Sequence, residues 1–292
     1  MLTYPYQKLN AFAAHGSAGN PAAYLRLGAD TLTDEQMLKI AGEHKGFVSE
    51  MVFVSRSKKA DMKLTYYSSE CEVDFCGHGT IATMYSLLKS DEELSHKSEV
   101  VIETNRKGLL TVYNRIRDEK AVYVKAPKPE KLKCPCEKAE AARALSLPES
   151  ALDSRYPIGF IDAGLRTLIV PITELQDETT ISPDIFELKE FCEADGIDIV
   201  LAFSMQTKSD KRIAHTRVFA PRFGYLEDPA TGSGNSAFGA YMLENGIWAG
   251  EATAIEQGAG EPYNKVCLSV ENGELLFGGG AQLIIDGSYF IR

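Results

Sequence analysis

The hydrophobic residues of this chain fall mostly in short runs, about four to eight residues long, that are rich in Val, Ile, Tyr and Thr. Turn-forming residues bound these runs, so the pattern predicts many β-strands and fewer helices. The predicted strands are residues 48–54, 62–67, 100–104, 109–113, 121–125, 166–172, 197–204, 213–219, 266–271 and 283–286.

Two dipeptides between apolar runs indicate how neighbouring strands connect. Asn272-Gly273 and Asp286-Gly287 both consist of residues that tolerate a positive φ, which a two-residue hairpin turn requires. Each therefore predicts a β-hairpin, and much of the sheet is expected to be antiparallel.

Helical patterns are fewer. Thr33 followed by Gln36 is a capping box, which predicts a short surface-packed helix that begins after Thr33 and ends before Gly46. The apolar face of this helix is Met37, Ile40 and Ala41. Residues 137–144 and 184–193 have the spacing of further amphipathic helices.

Two segments, residues 76–88 and 231–243, each open with glycines and continue as a helix that is apolar on all sides. Such helices are expected to be buried. The segments are offset by 155 positions, from Cys76 to Thr231, and this faint similarity predicts two related halves. Chance similarity between two glycine-rich helix starts is the alternative. The shared positions are Gly77 with Gly232, Gly79 with Gly234, Ala82 with Ala237, Leu88 with Leu243, and Glu72 with Glu227.

Residues 126–131 separate the two halves. This stretch contains two prolines and three charged residues before a new pattern begins. Such a composition is typical of a linker between domains.

Composition excludes several classes of function. The chain has 292 residues, 44% of them hydrophobic, which is long enough for about two domains. Its net charge of -10 leaves no basic surface for nucleic acid or anionic membranes. No long apolar run indicates a membrane span, and the first residues lack the pattern of a signal peptide. We therefore expect a cytoplasmic protein with neither a nucleic-acid nor a membrane partner.

Six cysteines are too few for a disulfide framework in a chain of this length. Cys134-Pro135-Cys136 lacks the two-residue spacing of zinc knuckles, and no second Cys or His pair lies nearby in sequence. This segment is expected to be a surface loop between domains rather than a metal site.

The glycine-led helix starts suggest the class of ligand. A helix N-terminus presents unpaired N–H groups and partial positive charge, so it attracts carboxylates and phosphates. A phosphate-binding loop is disfavoured, because neither segment has the spacing of the known phosphate-binding motifs. Two such helix starts facing a shared cleft would bind a small anion, which favours acid-base chemistry on a carbon acid.

Three titratable residues lie beside these turns. Glu50 precedes an apolar strand, so burial is expected to raise its carboxyl pKa toward a range useful for proton transfer. His78 lies at a helix start, and Asp228 precedes Pro229 just before the second glycine cluster. Each also has an ordinary structural interpretation: an exposed strand-start glutamate, a helix-capping histidine and an Asx-turn aspartate. Spacing alone leaves these alternatives open.

At these residues the chain resembles the PhzF-like isomerases of phenazine biosynthesis, which are relatives of diaminopimelate epimerase and proline racemase. The matching blocks follow the family order across nearly the whole chain, and the last block is the most specific. They are Gly19-Asn20-Pro21-Ala22-Ala23, Ser49-Glu50, Glu72-Val73-Asp74-Phe75-Cys76-Gly77-His78-Gly79-Thr80, Arg217-Val218-Phe219-Ala220-Pro221 and Glu227-Asp228-Pro229-Ala230-Thr231-Gly232-Ser233-Gly234.

The resemblance implies a mixed α/β protein with the diaminopimelate epimerase-like fold. In this fold, two pseudo-symmetric domains each curl a mostly antiparallel sheet around a central helix, and the active site lies in the cleft between them. The expected domains are residues 1–126 with 280–292, and residues 127–279. The resemblance also implies a homodimer.

The resemblance further implies the roles of individual residues. Glu50 is similar to the general base that removes a proton from a substrate carbon and returns it elsewhere, with His78 and Asp228 as its catalytic partners. A small carboxylate, such as a dihydro-hydroxyanthranilate-like or other amino or hydroxy acid, is the implied substrate, and neither a metal nor another cofactor is required. The implied substrate-binding residues are Asn20, Cys76, Gly77, Gly232, Ser233 and Gly234.

One difference separates this chain from the amino-acid epimerases. Those enzymes use two opposed cysteines, whereas here Cys76 is matched by Thr231, whose hydroxyl is a far poorer base than a thiolate. A two-cysteine mechanism is therefore disfavoured. Two alternatives stay open: an epimerase, racemase or dehydratase that uses Cys76, and a non-catalytic binding protein on the same scaffold.

Overall fold

The computed structural model describes residues 2–14 and 16–291 and divides them into two compact units. Unit 1 comprises residues 2–14, 18–125 and 278–291, and unit 2 comprises residues 16–17 and 126–277. Strands dominate both units, as the short apolar runs predict.

Unit 1 contains the first eight strands, the last strand and the first four helices. The strands are β1 (Leu2–Ala11), β2 (Asn20–Gly28), β3 (Glu50–Ser55), β4 (Met62–Ser68), β5 (Glu72–Val73), β6 (Glu99–Thr104), β7 (Gly108–Arg115) and β8 (Ala121–Lys125), to which the chain's last strand adds residues 281–291. The helices are α1 (Asp34–Glu43), α2 (Gly77–Ser90), α3 (Glu92–Ser95) and α4 (Ile116–Glu119).

Unit 2 contains the next eight strands, from β9 to β16, and four helices. Strand β17 begins in unit 2 and ends in unit 1. The strands are β9 (Glu130–Lys131), β10 (Gly159–Asp162), β11 (Arg166–Pro171), β12 (Ile199–Ser204), β13 (His215–Phe219), β14 (Glu227–Asp228), β15 (Thr253–Gln257), β16 (Asn264–Glu271) and β17 (Glu274–Gly279), and the chain ends with β18 (Ala281–Ile291) in unit 1. The helices are α5 (Lys138–Ala144), α6 (Leu175–Thr179), α7 (Ile185–Ala194) and α8 (Gly232–Glu244), with 3-10 turns at Glu149–Ala151 and Pro221–Phe223.

The internal repeat is visible in the strand pairing of each unit. In unit 1, β2 pairs antiparallel with β1 and parallel with β3, while β4 pairs antiparallel with β3 and β5 and parallel with β6. In unit 2, β11, β12, β13, β14 and β15 repeat this order with β10 in the place of β1. The same topology with an equivalent helix after β5 and after β14 shows that the two halves are related.

Each long apolar helix is the central helix of its unit. The α2 helix packs on β1, β2, β3 and β8, and α8 packs on β10, β11, β12 and β16. Most residues of both helices are buried, because strands surround them on several sides. The fold is therefore the diaminopimelate epimerase-like one, with a curled and largely antiparallel sheet around a helix in each unit.

The helix at residues 34–43 forms as its capping box predicts. The Thr33 side chain accepts a hydrogen bond from the Gln36 N–H at 3.2 Å, and the Gln36 side chain accepts one from the Thr33 N–H at 2.9 Å. Met37, Ile40 and Ala41 are buried against the other face of the unit 1 sheet. The predicted helices at residues 137–144 and 184–193 are also present, as α5 and α7.

One of the two predicted hairpin turns is wrong. Asn272 and Gly273 have φ values of 51° and 78° and connect β16 to β17, as predicted. Asp286 and Gly287 instead lie inside β18, opposite Gln7 and Tyr6 of β1. The Gln7 amide also donates to the Asp286 carboxylate at 3.1 Å. Pairing along nearly the whole of β1 overrides the local turn preference of an Asp-Gly pair.

Two other loop predictions need correction. Residues 130–131 of the expected linker form β9, which pairs antiparallel with β10 inside unit 2. Cys134 and Cys136, expected in a surface loop between domains, belong to unit 2 and are half-buried against its core. This core is formed by strands β10 to β13 and helices α5 and α7.

Gly278 permits a close approach within unit 1. A Cβ at this position would lie 2.6 Å from Tyr123 Cγ and would overlap the backbone of Val122 in β8. Because backbone cannot move aside cheaply, Gly278→Ala should lower stability by about 1–3 kcal/mol in urea denaturation. The matched control is Gly287→Ala, since a Cβ there meets nothing within 4 Å. The control should stay within about 0.5 kcal/mol of the parent protein. Equal stability of both variants would contradict this explanation.

Candidate active site

The candidate site in unit 1 forms where the start of β3 meets the N-terminus of α2. Glu50 is the first residue of β3 and pairs with Ala22 of β2 on one side and Ser68 of β4 on the other. Cys76 is the N-cap of α2, and His78 lies in its first turn. A strand fixed by two neighbours and a capped helix thus hold three reactive side chains at one place.

The three side chains contact one another. His78 Nε2 lies 3.0 Å from Glu50 Oε2, which is the distance of a short ion pair. The Cys76 thiol donates to the same Glu50 oxygen at 3.7 Å, and its sulfur lies 3.6 Å from His78 Nδ1 and 3.8 Å from Nε2. The side chains of His78 and Glu50 are 14% and 21% exposed, whereas Cys76 is 5% exposed. A small molecule therefore has access to the carboxylate and the imidazole.

A rigid helix start positions the cysteine. The Gly79 N–H donates to Cys76 Sγ at 3.2 Å, and the Thr80 hydroxyl donates to the Cys76 carbonyl at 2.7 Å. Since the Thr80 proton is used there, the buried Tyr66 hydroxyl donates to Thr80 Oγ1 at 2.8 Å. A Cβ on Gly79 would lie 2.9 Å from Cys76 Sγ, so a larger residue here would push the sulfur out of its position.

The pKa of Glu50 differs from the value expected from the sequence. Burial raises the pKa of Glu50, as predicted, but the charge and hydrogen bond of His78 outweigh it, and the net pKa lies below the ordinary 4.5. Burial disfavours the imidazolium of His78, yet the Cys76 sulfur and the Glu50 carboxylate raise its pKa well above 6.5. The prediction of a raised Glu50 pKa is therefore wrong, because it considered burial without this histidine.

Cys76 is a protonated thiol at neutral pH. Burial raises its pKa above 9.0, and although His78 opposes this shift, the Glu50 carboxylate adds to it. The resting cluster thus consists of a carboxylate, an imidazolium and a neutral thiol. Glu50 is therefore the member of the cluster that carries a negative charge and can accept a proton.

Replacing His78 should reverse the sign of the Glu50 shift. In His78→Gln the opposing cation is gone and burial remains, so the Glu50 pKa is expected to rise above 4.5, whereas in the parent protein it lies below 4.5. Carboxyl ¹³C NMR titration of labelled protein measures this, with the Glu50 signal assigned by its loss in Glu50→Gln. An unchanged Glu50 titration in His78→Gln would contradict the ion pair.

The corresponding helix start in unit 2 carries different side chains, with neither a cysteine nor a histidine at the equivalent positions. Thr231 is the N-cap of α8, and its hydroxyl donates to the Asp228 carboxylate at 2.6 Å. The Gln257 amide donates to the Asp228 carbonyl at 2.9 Å and accepts from the Thr231 N–H at 3.0 Å. Asn235 donates to the same Gln257 oxygen at 2.7 Å. Gln257 and Asn235 therefore fix the turn that carries Asp228, a role that their spacing in sequence did not reveal.

The structure groups the predicted site residues by unit. Glu50, Cys76, Gly77 and His78 lie together in unit 1. Asn20 is also in unit 1, buried at the first position of β2 and opposite Ala11 of β1. In unit 2, Asp228 contacts Thr231, the N-cap of α8. The first turn of this helix contains Gly232, Ser233 and Gly234.

The model of the family described as phenazine biosynthesis-like protein (PhzC-PhzF) matches residues 9–265. The chain belongs to this family. Uncharacterized isomerase YfhB of Bacillus subtilis is 29% identical over 253 residues, which are 86% of this chain and 85% of that protein.

Solved structures show the same fold. A Bacillus anthracis phenazine biosynthesis protein of the PhzF family has a TM-score of 0.86 and 26% identity, with both chains fully covered. A hydroxyproline epimerase from Agrobacterium vitis has a TM-score of 0.57 and 11% identity, with 98% of this chain and 91% of that one covered. The second likeness concerns the fold alone.

No helix in the described part of the chain is both long enough and apolar enough to cross a membrane.

Proposed function

We propose that this protein is a cofactor-independent isomerase that moves a proton within a small carboxylic acid, with Glu50 as the general base. The observation that carries the proposal is the 3.0 Å contact between the Glu50 carboxylate and the His78 imidazole in a partly accessible site. The name of the relative YfhB, an isomerase, supports the reaction class.

The geometry supports a simple proton transfer. Glu50 takes a proton from a substrate carbon whose carbanion is delocalised into a carbonyl or carboxylate, and then returns it to another carbon. While Glu50 holds the proton, the negative charge resides on the substrate enolate or dienolate. The His78 imidazolium is then no longer neutralised by Glu50 and stabilises that charge electrostatically.

The remaining predicted residues keep their roles as part of this proposal. Asp228 stays a catalytic partner of Glu50. Gly232, Ser233 and Gly234 are assigned to substrate binding, because the N–H groups of the first turn of α8 suit a carboxylate. Asn20, Cys76 and Gly77 are assigned likewise. A dihydro-hydroxyanthranilate-like acid or another amino or hydroxy acid is the proposed substrate, and the homodimer and the cytoplasmic location stay predictions.

The alternative that uses Cys76 as the base is less well supported. Burial raises the pKa of its thiol, so the thiolate that such an epimerase needs is scarce at neutral pH. If Cys76 were the base, Cys76→Ser would abolish activity and Glu50→Gln would not. With Glu50 as the base, we expect Glu50→Gln to abolish activity and Cys76→Ser to retain it.

A conversion assay tests the reaction class. Purified protein is incubated with dihydro-hydroxyanthranilate and a panel of small unsaturated, amino and hydroxy acids, and ¹H NMR follows each compound. The expected result is conversion of one compound into an isomer of equal mass without added metal or cofactor. Tight binding of one acid that is never converted would instead support the non-catalytic binding protein.

A further inference from the structure

The three reactive side chains of unit 1 have a second chemical property, because each is also a common metal ligand. Glu50, Cys76 and His78 each offer one ligand atom, and these atoms lie within 4.8 Å of one another. Cysteine sulfur, histidine nitrogen and carboxylate oxygen are the ligand types of protein-bound Zn²⁺.

The distances between the ligand atoms fit one face of a tetrahedron. Zn²⁺ binds sulfur at about 2.3 Å and nitrogen or oxygen at about 2.0–2.2 Å, so tetrahedral ligands lie roughly 3.3–3.6 Å apart. The edges found here are 3.7 Å from Sγ to Oε2, 3.8 Å from Sγ to Nε2, and 3.0 Å from Nε2 to Oε2. Each edge needs a shift of roughly 0.1–0.4 Å. The His78 ring must also rotate, because Sγ lies nearly as far from Nδ1 (3.6 Å) as from Nε2 (3.8 Å) and so faces the ring rather than the Nε2 lone pair.

The charge of the ligand set does not oppose such binding. Zn²⁺ with one thiolate, one carboxylate and a neutral imidazole carries no net formal charge. A partly buried site can therefore hold the divalent ion without burying a net charge.

The surroundings of the cluster supply support and access. The Gly79 N–H donates to Cys76 Sγ at 3.2 Å, which stabilises a thiolate and holds the sulfur in place. The side chains of Glu50 and His78 remain partly exposed, so a water molecule can reach the fourth position. Three protein ligands with one open position is the arrangement typical of an accessible zinc site.

We propose that Glu50, Cys76 and His78 form a Zn²⁺ site whose occupancy inhibits the enzyme. The inhibition rests on the proposed function, because a metal-bound Glu50 has no free lone pair of comparable basicity to accept the substrate proton. Metal binding itself depends only on the geometry.

Cobalt substitution tests the site without any substrate. Co²⁺ bound to a thiolate gives a charge-transfer band in the near ultraviolet, and tetrahedral Co²⁺ gives intense visible bands. Reduced, metal-free protein is expected to develop the charge-transfer band and the visible bands on titration with Co²⁺. Both sets of bands should disappear when Zn²⁺ displaces the cobalt. Cys76→Ser should abolish the charge-transfer band and weaken Zn²⁺ binding at least about 10-fold.

Other cysteines provide the matched controls. Cys71 is exposed, and Cys134 and Cys136 lie close together in unit 2. Cys71→Ser and the double change Cys134→Ser with Cys136→Ser should leave the band intact. A band that survives in Cys76→Ser, or that disappears in the Cys134 and Cys136 variant, would overturn the assignment.

X-ray absorption at the zinc edge gives a readout that needs no variant. Zn²⁺ bound to the parent protein should have one sulfur ligand at about 2.3 Å and nitrogen or oxygen ligands at about 2.0–2.2 Å. The absence of sulfur, or the presence of two sulfurs, would contradict the site.

Comparison with activity separates the two proposals. If Zn²⁺ binds at this site and proton transfer stops until a chelator is added, both proposals are supported. If Zn²⁺ binds there while proton transfer continues, the metal site stands and Glu50 as the base is contradicted. If activity is present and no Zn²⁺ binds, only the metal site is overturned.

Discussion

Glu50→Gln should lower the rate of proton transfer by about 10²- to 10⁴-fold while leaving the fold and the binding of substrate largely intact. Glutamine has nearly the same shape as glutamate but cannot accept the proton. Its side chain can still contact His78, so the start of β3 and the N-terminus of α2 should stay in place. Steady-state kinetics with the compound identified in the conversion assay measure the loss, which is expected in kcat rather than in KM.

A carboxylate elsewhere in unit 1 provides the control for this variant. Glu70 is exposed and pairs with Lys45 at 2.7 Å. Glu70→Gln removes the same charge from the same unit and should leave kcat unchanged, because exposed ion pairs contribute little. If Glu50→Gln turned over at the rate of the parent protein, the base would be another group.

Removing Glu178 should produce the largest loss of stability. Its carboxylate lies 2.6 Å from His215 Nδ1, and both side chains are 0% exposed. Burial raises the pKa of Glu178, and the neighbouring His215 and Arg217 counteract this shift. Deleting one member of a buried pair leaves the other without compensation, so Glu178→Ala is expected to cost about 3–5 kcal/mol in urea denaturation.

Two further variants make the stability test specific. Glu178→Gln keeps the volume and a polar group beside His215, so its loss should be smaller than that of Glu178→Ala. Glu190 lies exposed on α7, and Glu190→Ala should stay within about 0.5 kcal/mol of the parent protein. A Glu178→Ala protein as stable as the Glu190→Ala protein would show that the buried pair contributes nothing.

Local sequence signals were sufficient where local interactions determine the structure. The capping box at Thr33 and Gln36 predicted α1, and the apolar segments after Cys76 and Thr231 predicted the two central helices. In each case the residues that form the element also make its stabilising contacts within a few positions of one another.

Long-range pairing explains most of the misses. β1 contains Pro5 and lacks a regular alternation, and it is a strand because β18, from the far end of the chain, pairs with it at one side and β2 at the other. The same pairing extends β18 through Asp286-Gly287. No window of neighbouring residues contains this information.

The candidate site was predictable in its residues but not in its electrostatics. The family blocks contain Glu50 and His78, yet only the fold brings the start of β3 to the first turn of α2. That contact changes the sign of the Glu50 pKa shift. The role of Gln257 was not predictable for a similar reason, since its partners Asp228 and Thr231 lie on a distant segment of the chain.

The assignment of Glu50 as the base is best tested by solvent-deuterium incorporation. The Glu50 side chain is partly exposed, so the proton it holds can exchange with D₂O before it returns to carbon. Parent protein, Glu50→Gln and Glu70→Gln are incubated in D₂O with the substrate, and mass spectrometry counts deuterium at carbon in the recovered acid. We expect deuterium incorporation with the parent protein and Glu70→Gln, and little or none with Glu50→Gln. Equal incorporation with Glu50→Gln would contradict the assignment of Glu50 as the general base.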